Sequence, residues 1–275
     1  MACPCAAISP STRKPVSSST GEGPTLLFLH GNPAWSFQWR DLIVDLRGRF
    51  RCVALDYPGF GLSSAPPPFG FTPGEESRVV EEFVDHLGLR DLTLVMQDWG
   101  GPIGLGLAGR RPELVRGVVV GNTWAWPTGT SEARGKFSFV VGGPLGEFAQ
   151  MNFNGFASFG LRHGVVRELP RDVVDLYLRP FLPLDRRGIA AFYPGQITAA
   201  GRYMAEVEEG LGKIRDRPAL IVWGTRDVGF PPADRARFEA AFPRHKTVEV
   251  DADHFFFEDA RERMVTEVAA FASRP

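Results

Sequence analysis

Nothing in this chain is apolar for long enough to cross a bilayer, and prolines interrupt MACPCAAISPSTRKP where a secretion signal needs a continuous apolar core. Cysteine is nearly missing: Cys3, Cys5 and Cys52 make an odd set with none in the second half. No disulfide framework follows, and a reducing cytoplasm is the expected compartment. Cys3-Pro4-Cys5 lacks a neighbouring Cys or His to complete a zinc site, so no metal is expected. Charge of one sign is lacking as well. With a formal net charge of −1 and acids and bases interspersed, the chain has no basic face for nucleic acid or a membrane surface. Tyrosine is scarce, 4 residues against 22 phenylalanines, an aromatic content that suits core packing or an apolar cavity.

What is present is a length of 275 residues, enough for one domain with an inserted lid. Residues 1–23 are rich in Ser, Pro, Thr and Gly without an apolar period and read as a flexible tail. From Pro24 onward short apolar runs recur: TLLFLH (25–30), RCVALDY (51–57), LTLVMQ (92–97), VRGVVVG (115–121), ALIVWG (219–224) and TVEVD (247–251). They are continuous rather than alternating, the pattern of strands covered on both faces of a parallel sheet. Helical patterns such as Glu75 to Leu87 separate the early runs, which predicts a three-layer α/β sheet with right-handed crossovers. Between Trp124 and Lys213 the strand pattern stops and helical stretches take over. The expected organisation is an α/β core over 24–123 and 214–275, with a helical cap over 124–213.

In an open α/β sheet, ligands bind beyond the carboxyl ends of the strands. The residues at those ends are His30-Gly31-Asn32-Pro33, Asp98-Trp99, Asn122-Thr123, Asp227 and His254. Asp98 occupies a strand-to-helix turn, VMQDWGG, where Gly100 and Gly101 let the helix begin close to the strand. A helix-capping aspartate is the simpler account of that turn alone. The company it keeps at the other strand ends argues for chemistry. His254 follows the last strand, whereas His86, His245, His163 and His30 have surface, turn or lid contexts. Asp227 is the acid best placed to orient His254 from a neighbouring strand, ahead of Asp251, Asp253 and Asp259.

An ordinary aspartate is ionised at neutral pH and needs no base to activate it. It can displace a leaving group from saturated carbon, giving an ester that water reopens at the carboxyl carbon, whereas a serine would give an ether. His254 would serve as base for that water, and the backbone N–H groups of Asn32 and Trp99 could hold the oxyanion. A departing halide needs hydrogen-bond donors rather than a proton, and the Trp99 indole and Asn32 amide are such donors. An epoxide oxygen wants a proton instead. Tyr177, Tyr193 and Tyr203 in the lid keep that alternative open, although packing is the simpler role for all three. Phe37, Phe153, Phe156 and Phe159 are candidate pocket walls, with core packing an equal alternative.

The motifs HGNP (30–33) followed by WSFQWR, DYPGFGLS (56–63), QDWGGP (97–102), WGTRD (223–227) and DHFFFED (253–259) resemble those of the haloalkane dehalogenases of the α/β-hydrolase superfamily. The cap segments YLRPF (177–181) and FYPGQI (192–197) are similar to that family's cap helices, and the likeness runs from about Gly23 to Phe271. HGNP with QDWGG sets this group apart from epoxide hydrolases, which typically carry a histidine where Gln97 stands. The resemblance implies an α/β-hydrolase fold, nucleophile Asp98, base His254, halide donors Asn32 and Trp99, no cofactor, and a haloalkane, water and a halide ion as partners. Some members place the triad acid after the strand ending near residue 121; here Asn122-Thr123 stands there, which leaves the role to Asp227. The family's first two strands have no counterpart in the Ser/Pro-rich tail, so an exposed sheet edge and self-association are expected. An epoxide hydrolase and a non-catalytic binding protein of the same fold are the competing readings, the latter leaving an intact triad unexplained.

Overall fold

The computed structural model describes residues 17–65, 68–128 and 132–274. Among them seven strands form one sheet: β1 (Ser17–Thr20), β2 (Thr25–Leu29), β3 (Arg51–Leu55), β4 (Leu92–Gln97), β5 (Val115–Gly121), β6 (Ala219–Gly224) and β7 (His245–Val250). Their order is β1-β3-β2-β4-β5-β6-β7, and every neighbouring pair is parallel except β1 with β3. The six sequence-predicted strands are all present.

β1 corrects the expected tail and the expected bare edge. Ser17–Thr20 pairs antiparallel with Leu55 to Cys52, so β3 is covered and β2 lies inside the sheet. Backbone pairing at an edge needs no apolar side chains, and SSST gives no hydrophobic signal. The argument for self-association through an exposed β3 therefore lapses. Residues 1–16 of the tail lie outside the described residues.

The central strands are buried on both faces, and alternate residues feed two cores. Leu27 and Leu29 belong to one apolar cluster, Leu26 and Phe28 to the other. Burying each such side chain fully is worth roughly 1.5–3 kcal/mol before entropy is counted. Helices α1 (Arg40–Leu46), α2 (Pro73–His86) and α3 (Gly100–Arg110) follow β2, β3 and β4 in the sequence. A capping box starts α2: the Thr72 hydroxyl accepts from Glu75 N–H, and the Glu75 carboxylate accepts from Thr72 N–H, with Pro73 opening the helix.

Beyond β5 come α4 (Glu132–Val141), α5 (Pro144–Phe153), α6 (Gly155–His163), α7 (Arg171–Leu178) and α8 (Gly188–Ala199). The next helix, α9 (Gly201–Ile214), packs along α3, and the Tyr203 hydroxyl donates to Pro102 O at 2.8 Å. It thus packs on the helix that follows β4, although it falls within the segment expected as cap. Helices α10 (Pro232–Ala241), α11 (Phe256–Asp259) and α12 (Arg261–Ala272) complete the chain. None of the described helices is long and apolar enough to cross a membrane.

Polar ties join the helical segment between β5 and β6 to the rest of the chain. Arg40 makes a two-pronged ion pair with Glu258 at 2.6 and 2.8 Å, and the Tyr177 hydroxyl of α7 donates to the same carboxylate. Arg134 of α4 pairs with Asp234 of α10. Asp259 accepts from the N–H groups of Val166 and Arg167 in the α6–α7 connection.

Candidate active site

The loops that follow the carboxyl ends of β2, β4, β5, β6 and β7 carry the candidate residues. Asp98 has φ of 49°, a left-handed conformation that ordinary side chains avoid and that a sharp strand-to-helix turn imposes. Glycine makes the turn possible. A Cβ on Gly100 would stand 2.1 Å from Leu29 O, and one on Gly31 would stand 2.5 Å from Asp98 Cβ. The two turns can therefore touch, and Asn32 N–H donates to Asp98 Oδ1 at 2.7 Å. The Trp99 N–H also donates to this carboxylate. The backbone of Asp98 is fixed from β5, its N–H bonding Asn122 O at 3.0 Å and its carbonyl accepting from the Thr123 hydroxyl at 2.6 Å.

His254 and Asp227 meet as expected, with Nδ1 2.9 Å from Asp227 Oδ2. Two further donors hold the acid: the Asn122 side-chain amide at 2.8 Å and Gly229 N–H at 2.8 Å. Burial works against charge on Asp227, but His254 and these donors hold it below the ordinary aspartate value. Burial likewise pulls the His254 imidazole down. Asp227 outweighs it, with help from Asp98 and Asp253, and raises the imidazole to about 9. For Asp98 burial wins and lifts the carboxyl above its usual range, against the pull of His254 and of the Asn32 and Trp99 N–H groups. Phe230 stacks on the His254 ring with centroids 5.7 Å apart, and Phe255 meets it edge-on at 5.1 Å.

Trp99 is buried, with Trp124 and Tyr193 edge-on to it at 4.6 and 5.1 Å between centroids. The Asn32 side chain donates to Ala190 O at 3.3 Å, which links the HGNP turn to α8. An amide nitrogen carries two hydrogens, so this contact leaves the second for another acceptor. Asp56 of the DYPGFGLS motif supports the same turn by accepting from Ser36 N–H at 2.8 Å and Leu62 N–H at 2.9 Å.

The three candidate tyrosines divide. Tyr177 is committed to Glu258 and Tyr203 to Pro102 O, while the Tyr193 hydroxyl is buried without a partner among the described residues. The candidate pocket phenylalanines divide too. Phe37 is half-buried between Trp35 and Tyr177, and Phe156 of α6 packs on Phe137 of α4. Phe153 is 71% exposed and Phe159 64% exposed, so both lie on the outer face and are not pocket walls. A cavity of about 960 Å³ lies at the amino ends of the strands, beside Thr25, Thr93 and Gly117, remote from all these groups.

Two residues acquire roles that sequence reasoning missed. Asn122 braces Asp227, and the Gln97 side chain lies against His254. Asn122 had one signal, its place at a strand end among the other candidates. Gln97 had its place in QDWGG, where epoxide hydrolases typically carry a histidine, but nothing that pointed to His254.

Residues 24–260 match the family described as alpha/beta hydrolase fold. The chain is 44% identical to haloalkane dehalogenase 2 of Mycobacterium tuberculosis (strain ATCC 25618 / H37Rv) over 253 residues, 90% of this chain and 87% of that protein. It is 32% identical to a cis-3-alkyl-4-alkyloxetan-2-one decarboxylase of Xanthomonas campestris pv. campestris over 269 residues, covering 92% and 89% of the two chains. The crystal structure of an ancestral haloalkane dehalogenase superposes with a TM-score of 0.84 at 28% identity, covering 94% of this chain and 95% of the other.

Proposed function

Since the chain belongs to the haloalkane dehalogenases of the alpha/beta hydrolase fold, hydrolases acting on carbon–halide bonds, we propose that Asp98, His254 and Asp227 carry that reaction here. Asp98 attacks the saturated carbon bearing the halogen; a C–O bond forms as the carbon–halogen bond breaks, and the halide leaves with its electron pair. The Trp99 indole N–H and the second N–H of the Asn32 amide receive the ion. His254 then takes a proton from water, and the oxygen adds to the carboxyl carbon of Asp98. The Asn32 and Trp99 backbone N–H groups hold the oxyanion. Collapse expels the alcohol, which takes its proton from His254, and Asp98 returns its remaining proton to solvent. Asp227 keeps the imidazole proton on Nδ1 and stabilises the transient imidazolium. The helices from α4 to α8 act as the cap that shields the alkyl chain. With Cys52 free and buried, a reducing cytoplasm suits the enzyme.

The observation that carries this reading is the Asn32 N–H lying 2.7 Å from Asp98 Oδ1. A donor aimed at the nucleophile's own carboxylate serves an oxyanion formed on Asp98, which only a covalent aspartyl ester produces. The test is His254→Phe incubated with a brominated alkane and weighed by mass spectrometry. An alkyl adduct that does not turn over is expected; absence of any adduct would overturn the assignment.

A second electrophile deserves the same assay. An oxetan-2-one also presents a saturated carbon: attack by Asp98 breaks the ring C–O bond and frees a carboxylate, whose loss as carbon dioxide expels Asp98 as its carboxylate and leaves an alkene; a relative of this chain is a cis-3-alkyl-4-alkyloxetan-2-one decarboxylase. The buried Tyr193 hydroxyl beside Trp99 is a donor suited to an oxygen leaving group. Carbon dioxide release from such a lactone, lost in Asp98→Asn, supports this reading; an inert lactone excludes it.

A further inference from the structure

Gln97 immediately precedes the nucleophile and is 1% exposed. Its side-chain nitrogen is 3.0 Å from His254 Nε2 and 3.3 Å from the His254 carbonyl oxygen. A backbone carbonyl can only accept, so the Gln97 atom facing it is the NH2 group, and its two N–H bonds serve the two acceptors. The same assignment fixes the ring. When the ring is neutral, Nε2 presents its lone pair to the amide and the one imidazole proton sits on Nδ1, facing Asp227 Oδ2 at 2.9 Å. Turning the amide over would set the Gln97 oxygen against the His254 carbonyl, so the arrangement is held from both sides.

We propose that Gln97 is the positioning residue that keeps His254 in its base form during the hydrolysis half of the reaction, a role that rests on those proposed above for Asp98 and His254. The charged groups around the imidazole pull the other way. Asp227 faces it from the loop after β6, Asp98 from the turn after β4, and Asp253 from its own loop, all favouring the imidazolium. Arg134, reaching from α4 toward Asp227 and Asp98, is the cation on that side, while Phe230 and Phe255 are neutral. Once Asp98 is alkylated its negative charge is gone, and one of the two strongest pulls goes with it. An Nε2–H would then face the N–H of Gln97 with nothing to accept it. The neutral base is favoured at the step that needs it. The arriving water displaces the amide from Nε2, while the second N–H stays on the His254 carbonyl and keeps the ring aimed.

The experiment follows the hydrolysis of pre-formed alkyl-enzyme against pH, using a brominated alkane, in the wild type, Gln97→Met and Gln97→Glu. Methionine removes the donors at similar volume; glutamate keeps the shape and offers an acceptor to an Nε2–H. The acid limb of the hydrolysis step should rise by about one pH unit in Gln97→Met and further in Gln97→Glu. In Gln97→Glu the alkyl adduct should accumulate near neutral pH, at least about tenfold above wild type, and clear as the pH is raised. Loss of activity by the same factor at every pH, with the limb unmoved, would mean that Gln97 only holds the loop, and would overturn the proposal. So would variants that match the wild type. If His254→Phe itself forms no adduct, the roles of Asp98 and His254 fail first, and the inference falls with them.

Discussion

Asn122 donates its side-chain amide to Asp227 Oδ2 at 2.8 Å, on the same oxygen that receives His254 Nδ1. Its own oxygen accepts Gly224 N–H at 2.8 Å, which fixes the amide's orientation between the ends of β5 and β6. A residue at the strand end where an acid could have stood instead locks the acid one strand away. Asn122→Leu should therefore leave the fold intact and lower kcat by about tenfold, the cost of roughly one charge-assisted hydrogen bond. Steady-state kinetics on a brominated alkane check this, and an unchanged kcat would show that Gly229 alone suffices to hold Asp227.

The proposed halide grip can be separated from the proposed nucleophile. Trp99→Phe keeps the backbone N–H that faces Asp98 and removes only the indole donor. A fall of about 100-fold in kcat/KM is expected, with product bromide becoming a weaker inhibitor. If bromide inhibition is unchanged, Trp99 does not hold the ion.

The raised His254 has a sign that can be tested by thermal unfolding. Its folded value of about 9 lies above the ordinary 6.5. The stability it contributes is complete below pH 6.5 and is lost as the pH rises through 9. Tm should thus fall across that window in the wild type, and the slope should flatten in His254→Phe. An equal slope in both proteins would place the titration elsewhere.

Glu76 gives a second, independent pH signal. It is fully buried, with both carboxylate oxygens unpartnered among the described residues, and burial raises it well above 4.5. Stability from this group is whole below pH 4.5 and declines above it, because the folded state keeps a proton that the unfolded chain gives up. Glu76→Met should raise Tm at pH near 8 by at least about 2 °C, and the gain should shrink at acidic pH. A lower Tm at both pH values would show that the carboxyl has a stabilising partner.

Much of the site was legible in the sequence because parallel strands deliver their carboxyl ends to one edge. Once the apolar runs were read as strands, Asp98, Asp227 and His254 had to stand near one another, whatever lay between them. HGNP and QDWGG were legible because sharp turns demand specific small residues. Other features left no such trace. β1 is held by backbone hydrogen bonds to β3, which SSST does not advertise. Phe153 and Phe159 look like pocket walls by residue type, yet the packing of α5 and α6 turns them outward.

The order of residues thus determined which groups reach the sheet edge, because strand spacing and glycine turns are local properties. Tertiary structure decided what those groups do to one another. The pairing of Asn122 with Asp227 and of Gln97 with His254 depends on the register of neighbouring strands and on side-chain reach across them, to within a few tenths of an ångström. Hydrogen bonds need that precision. Residue spacing along a chain does not carry it.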